Sequence, residues 1–178
     1  LIDRETTAVG QGGAVRIDAY EPEHLDQILA LCKAEGWTTF AGGRERAARA
    51  MGNPGVTALV AIEDDGREPS GEPGVRRSTG GGADVGRVLG FSQAVGDGAF
   101  GGYLCMLLVA EDARGRGIGK ALVERTLVDS GVLRLDLLSS EGAMSLYERF
   151  PHNRIPGFRL YPDESLRPPE AGGPPAGA

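Results

Sequence analysis

Apolar positions recur along the chain with two alternating periods, and the points where the period changes mark the expected elements. Val15 to Ala19 reads as a short strand. Glu21, Pro22 and Glu23 then open a helix, because proline fits its first turn and acidic side chains suit the positive end of its dipole. Leu25, Ile28, Leu29 and Cys32 fall at i, i+3, i+4 and i+7, which is one face of a helix ending near Gly36. A second helix is expected over Gly43 to Met51, closed by Asn53, Pro54 and Gly55, with Thr57 to Glu63 as the next strand. Val88 to Val95 and Tyr103 to Val109 read as two strands joined by the glycine-rich turn Gly96 to Gly102, and therefore as an antiparallel pair. The second of them is apolar on both faces, which predicts a central place in its sheet. Ile118, Ala121, Leu122 and Val128 share a face of a helix running from Gly117 to about Ser130. Leu133, Leu135 and Leu137 alternate with Arg134 and Asp136 as a strand, Glu141 to Phe150 gives a helix, and Phe158 to Tyr161 a last short strand. The helix that follows the fourth strand can cross over to a parallel fifth, so the pattern predicts a mixed sheet with helices packed on it.

Composition adjusts this picture in three places. The length of 178 residues suits one domain, and the 29 glycines carry no Gly-X-Y period. Twelve of those glycines lie between Gly66 and Gly102, and the stretch from Asp64 to Asp84 has almost no large apolar residue, so 64–84 is expected to be a flexible loop. From Arg167 to Ala178 the chain is a low-complexity tail, expected to be disordered. The net charge of −6 disfavours a non-specific nucleic-acid binder, which needs a basic footprint. The longest apolar run, Tyr103 to Ala110, falls far short of the ~20 residues that cross a bilayer, so no membrane span is expected. Cys32 and Cys105 stand far apart in unlike contexts and read as two buried thiols, with neither a disulfide framework nor a metal-ligand spacing. A cytoplasmic setting follows as the default.

The segment that carries chemistry is Leu107-Leu108-Val109 followed, four residues on, by Arg114-Gly115-Arg116-Gly117-Ile118-Gly119-Lys120. It leads from a strand into a helix. The first N–H groups of a helix have no internal partner and the dipole adds positive charge there, so an anion is favoured. Glycines let the anion come close to the backbone, and Arg114, Arg116 and Lys120 are expected to add mobile positive charge around a phosphate or pyrophosphate. A P-loop is excluded because Gly119-Lys120 is followed by Ala121 and Arg114 stands where its first glycine should be. The dinucleotide fingerprint is excluded because Lys120 stands three residues after Gly117.

With Arg114, Gly117 and Gly119 in the pattern Arg-x-x-Gly-x-Gly, between an apolar strand and an amphipathic helix, the sequence resembles the GCN5-related N-acetyltransferase (GNAT) family. The family's later pattern Asn-x-x-Ala-x-x-x-Tyr is met by Ala143 and Tyr147, with Ser140 in place of the asparagine, and Gly157-Phe158 comes six residues later than the family's Gly-Phe. The resemblance spans about Val15 to Tyr161 and is closest from Tyr103 to Tyr147. It implies an α/β fold, the acyl-CoA N-acyltransferase fold, with a mostly antiparallel sheet of six to seven strands flanked by about four helices within 14–164. It implies a fourth strand that carries a bulge and splays from the fifth, pairing the pantetheine arm of acetyl-CoA with the backbone of Leu107, Leu108 and Val109. The pyrophosphate is then expected on Arg114, Gly115, Arg116, Gly117, Ile118, Gly119 and Lys120, with Ser140 touching pantetheine and Tyr147 as general acid. The implied reaction is direct acetyl transfer to a primary amine of a small molecule or peptide, without metal. The other reading is a non-catalytic acyl-CoA-binding or regulatory domain, for which Ser140 and the displaced Gly-Phe speak. No general base is legible: Asp136 reads as a solvated strand charge, His24 as exposed, and His152 as the one histidine near the expected chemistry. Trp37 and Phe40 follow the first helix, where they either line the acceptor cleft or staple a loop. The acceptor and the oligomeric state, a homodimer included, stay open.

Overall fold

The computed structural model describes residues 14–63 and 86–162. The expected loop 64–84 and tail 167–178 lie outside the described residues. The chain forms two compact units, divided between Ser139 and Ser140.

The first unit opens with strand β1 (Val15–Ala19), a 3-10 turn (Pro22–His24) and helix α1 (Leu25–Ala34). Two helices follow, α2 (Thr38–Ala41) and α3 (Arg44–Met51), then strands β2 (Val56–Glu63), β3 (Val88–Gly96) and β4 (Gly101–Val109). A 3-10 turn (Glu111–Ala113), helix α4 (Ile118–Asp129) and strand β5 (Arg134–Asp136) complete it. The strands lie side by side in chain order, β1-β2-β3-β4-β5, antiparallel except for the β4–β5 pair, which α4 connects as a crossover. The sheet separates two cores. On one face Ile28 and Cys32 of α1 and Met51 of α3 pack with Val60, Ile62, Phe91 and Leu108. On the other, Ile118 and Leu122 of α4 pack with Val15, Leu59, Ala61 and Leu89. Strand alternation supplies both sets, and each large side chain fully buried this way stabilises the fold by about 1.5–3 kcal/mol.

Two bulges interrupt the alternation. Between β2 and β3, Ala61 faces Gly90 while Ile62 faces Val88, which leaves Leu89 as the extra residue and lets it join the α4 core. Gly90 is then crowded: a Cβ there would stand 2.7 Å from the Leu108 carbonyl oxygen, so only glycine fits without backbone movement. The second bulge lies in β4 and bears on the site.

The sequence reading needs correction at several points. The described residues form a five-stranded sheet, not six or seven strands, because Phe158 to Tyr161 is coil. That run is only four residues long between Pro156-Gly157 and Pro162, where prolines deny a ladder its N–H donors. Ile155, Phe158 and Leu160 accordingly stay 69%, 85% and 88% exposed. His24 is buried rather than exposed, at 5%, because its Nδ1 accepts the Glu21 N–H at 2.9 Å and turns the ring inward. Cys32 is buried as expected, but Cys105 is exposed.

The second unit is described by a 3-10 turn (Glu141–Ala143), the short helix α5 (Met144–Tyr147) and irregular chain beyond it. The helix expected over Glu141 to Phe150 is thus only partly α-helical. Phe150 N–H on Tyr147 O at 3.0 Å and an ion pair between Arg154 and Glu148 shape the chain that follows.

Candidate functional site

Strand β4 forks at its bulge. Gln93 faces Met106 and Ala94 faces Leu104, so Cys105 is the extra residue. Below it, Gly101, Gly102 and Tyr103 pair with Arg134, Leu135 and Asp136 of β5. Above it, among the described residues, no strand runs along the outer edge from Leu104 to Val109. A bulge bends its strand and steepens the local twist, so the two strands part where Cys105 is inserted.

Alternation settles which groups this open edge presents. Ala110 N–H donates to Leu89 O at 2.8 Å, which makes Leu108 and Phe91 the next hydrogen-bonded pair of the antiparallel ladder. Leu107 and Val109 therefore turn their N–H and C=O outward, to the free edge. Leu108 turns its own toward β3 and buries its side chain with Phe91, so it offers the edge nothing.

The edge runs into the turn at the head of α4. Gly115 and Gly117 hold φ values of 75° and 84°, a left-handed conformation in which other residues are strained. Gly117 is the N-cap of α4, with no side chain capping the helix. The first bond of the helical ladder is Ala121 N–H to Gly117 O at 3.0 Å, so the N–H groups of Ile118, Gly119 and Lys120 precede it. Together with the dipole of a three-turn helix they make a concave patch of donors suited to an anion.

The three cations of the turn are not mobile charges. Arg114 Nη2 lies 2.5 Å from Glu35 Oε2, with Nε donating to Val109 O at 3.2 Å. Arg116 approaches Glu63 at 3.8 Å, and Lys120 pairs with Glu124 at 2.6 Å, one helical turn on. Glu63 also lies 3.9 Å from Arg87, whose guanidinium binds Asp112 at 2.5 Å. That hydrogen bond from Arg87 holds the Asp112 carboxyl below the usual carboxylate range. The Lys120–Glu124 spacing was readable as an i, i+4 pair. Glu35 and Glu63 carried no local signal, since only the tertiary fold brings them to the turn.

Ser140 and Tyr147 belong to the second unit. Ser140 is exposed at the N-cap of the 3-10 turn. Tyr147 ends α5, half-buried, and burial pushes its phenol above the ordinary value, so it keeps its proton at neutral pH. Of the other residues considered, Asp136 lies 3.7 Å from Arg134, and His152 Nδ1 sits 2.9 Å from Phe150 O on the surface. Phe40 stacks on Phe91 with ring centroids 6.4 Å apart and belongs to the core, whereas Trp37 is exposed. No group of three metal-ligating side chains occurs among the described residues, nor does a helix long and apolar enough to cross a membrane.

The fold has counterparts among known proteins. The family model "Acetyltransferase (GNAT) domain" matches residues 78–150. Serotonin N-acetyltransferase 2, chloroplastic, of Oryza sativa subsp. japonica is 30% identical over 84 residues, which are 46% of this chain and 39% of that protein. The chain thus spans about two fifths of the length of this relative. Among solved structures, a GNAT-family protein from Xanthomonas campestris pv. campestris superposes with a TM-score of 0.58 at 20% identity, over 85% of this chain and 96% of that one. A ribosomal-protein-alanine N-acetyltransferase from Brucella melitensis biovar Abortus 2308 gives 0.57 at 17%, over 83% and 98%. An aminoglycoside acetyltransferase from an uncultured soil metagenomic sample gives 0.58 at 18%, over the same 83% and 98%. Residues 78–150 are thus similar to an acetyltransferase (GNAT) domain, and the solved structures share the fold of this chain.

Proposed function

We propose that this protein binds acetyl-CoA and transfers its acetyl group directly to a primary amine. One observation carries the reading: the free edge of β4, which offers a donor and an acceptor at Leu107 and a donor at Val109, runs into a turn rich in N–H donors. A ligand that fits has an extended amide-bearing arm leading to a diphosphate, which is the chemical make-up of an acyl-CoA. Leu107 and Val109 take the arm, and the N–H groups from Gly115 to Lys120 take the diphosphate. The Ser140 hydroxyl is a further contact for the arm.

The chemistry needs three things. An outward N–H of β4 polarises the thioester carbonyl, which strengthens as negative charge grows on its oxygen. The neutral amine attacks the carbonyl carbon, a C–N bond forms, and the amine's surplus proton passes to water. The C–S bond breaks, and the departing thiolate takes a proton from the Tyr147 phenol, which water then reprotonates. Burial raises the Tyr147 pKa, so the phenol is present in its acid form at neutral pH.

The proteins this chain resembles are named for serotonin, a ribosomal-protein alanine and an aminoglycoside. All present amines, which supports the acceptor class without choosing a member. The deciding experiment incubates the full chain with acetyl-CoA and a panel of amines, following acceptor-dependent thiol release and the acetylated product by mass spectrometry. Product formation is expected with at least one class. Tight CoA binding with no transfer to any amine would instead favour the non-catalytic reading, to which Ser140 and the coil over Phe158 to Tyr161 lend weight. Absence of CoA binding would end both.

A further inference from the structure

The free edge of β4 is interrupted at one group. Leu107 presents a donor and an acceptor, but the outward carbonyl of Val109 is taken by Arg114 Nε at 3.2 Å. The same guanidinium reaches back through Nη2 to Glu35 Oε2 at 2.5 Å, and Glu35 is the C-cap of α1. A planar fork can serve two acceptors in different directions at once, which an ammonium on a flexible stem does poorly. One side chain therefore joins three elements: the end of β4, the end of α1 and the start of the turn.

We propose that Arg114 is a positioning residue, a clip held by Glu35, and not a direct ligand of the phosphate. By covering the Val109 carbonyl it removes the last acceptor before the turn, so that an incoming anion meets N–H groups alone. By anchoring on Glu35 it fixes where the turn begins relative to β4. The assignment rests on the acyl-CoA reading above and deepens it with a residue, Glu35, that lies far from the turn in sequence. The competing role, in which Arg114 swings off both acceptors to grip the diphosphate, gives Glu35 the opposite sign: it would then compete with the ligand.

The test is calorimetric titration of the full chain with CoA at low and high salt. Glu35→Gln is expected to weaken CoA binding about three- to tenfold, and Arg114→Lys by a similar factor. The steepness with which salt weakens binding should match wild type in both and in Arg114→Gln, because no cation facing the phosphates has been lost. Thermal unfolding in the absence of ligand confirms that each variant is folded. Equal or tighter binding by Glu35→Gln, wild-type affinity in Arg114→Lys, or a shallower salt dependence in Arg114→Gln would overturn the clip. A drop in melting temperature with unchanged CoA affinity would also overturn it, leaving a plain surface ion pair. If wild type itself does not bind CoA, the acyl-CoA reading falls and this assignment falls with it.

Discussion

Gly117 offers the sharpest single perturbation, because its conformation is known and a matched control lies elsewhere in the same fold. At φ 84° and ψ 0° it stands in the left-handed region at the head of α4. An L-residue there costs roughly 1–2 kcal/mol, and a β-branched one is the least tolerated. Gly117→Val can respond by holding the conformation or by rotating the peptide. If it held, only stability would suffer, by a melting-temperature loss of about 2–8 °C for a domain of this size. Rotation would re-aim the N–H groups that open α4, and the released strain makes this the expected outcome. CoA affinity should then fall at least about tenfold, equivalent to 1.4 kcal/mol. The control is Gly98→Val in the turn between β3 and β4. Gly98 has φ 72° with nothing within 4 Å of an added Cβ, so it carries the same backbone strain with no steric clash. It sits at the other end of β4, roughly 25 Å of strand away. Gly98→Val should lose comparable stability and keep wild-type CoA affinity. Calorimetric titration of both variants, with melting curves, decides the matter. A folded Gly117→Val that binds CoA as wild type does would refute the placing of an anion on this turn.

Tyr147→Phe removes only a hydroxyl, so turnover with a working amine should fall about 10²-fold while CoA affinity holds. Retention of turnover within threefold would assign Tyr147 to packing. The acid must be protonated to act and its pKa is raised, so the wild-type pH–rate profile should show no alkaline loss from this group below the ordinary phenol range. In the α4 core, the fully buried Ser92 and Thr126 hydroxyls share a bond of 2.8 Å, and Thr126 Oγ1 also donates to Leu122 O at 2.7 Å. Thr126→Val should cost about 1–3 kcal/mol in urea unfolding by leaving Ser92 unsatisfied, and adding Ser92→Ala should recover much of it. Additive losses in the double variant would refute that coupling. Burial pushes the Cys32 thiol up to about 11, and partial burial also raises the Cys105 thiol, but Cys105 at the bulge is exposed to reagent whereas Cys32 is buried. A thiol reagent at mild alkaline pH should therefore modify one cysteine in the native protein and the second only in denaturant, with peptide mapping placing the first at Cys105.

What could be read from the sequence was what local residues determine. β1 begins and ends where its side-chain pattern puts it, and the glycines of the turn announced themselves because only glycine holds φ 75° and 84° cheaply. Misreadings fell where a partner decides. Cys105 was assigned to the interior because a bulge exists only relative to the neighbouring strand, and nothing in Tyr103 to Val109 encodes it alone. His24 was placed in solvent because a first helical turn is usually wet, yet here the turn is 3-10 and the ring folds under it. Phe158 to Tyr161 carries strand-forming side chains, but a ladder needs a neighbour, and the described residues supply none. The cations of the turn were legible as charges and not as ion pairs, since Glu35 and Glu63 approach them only across the folded sheet.

The spatial order of the sheet repeats the order of the chain, and β5 alone arrives by a crossover. β5 joins the sheet through three residue pairs, against five to seven between the other neighbouring strands. The fork therefore has the smallest share of cooperative protection in this sheet. A ligand laid along the open edge of β4 would act as a missing strand segment, completing in the bound state a closure that the described residues leave unfinished.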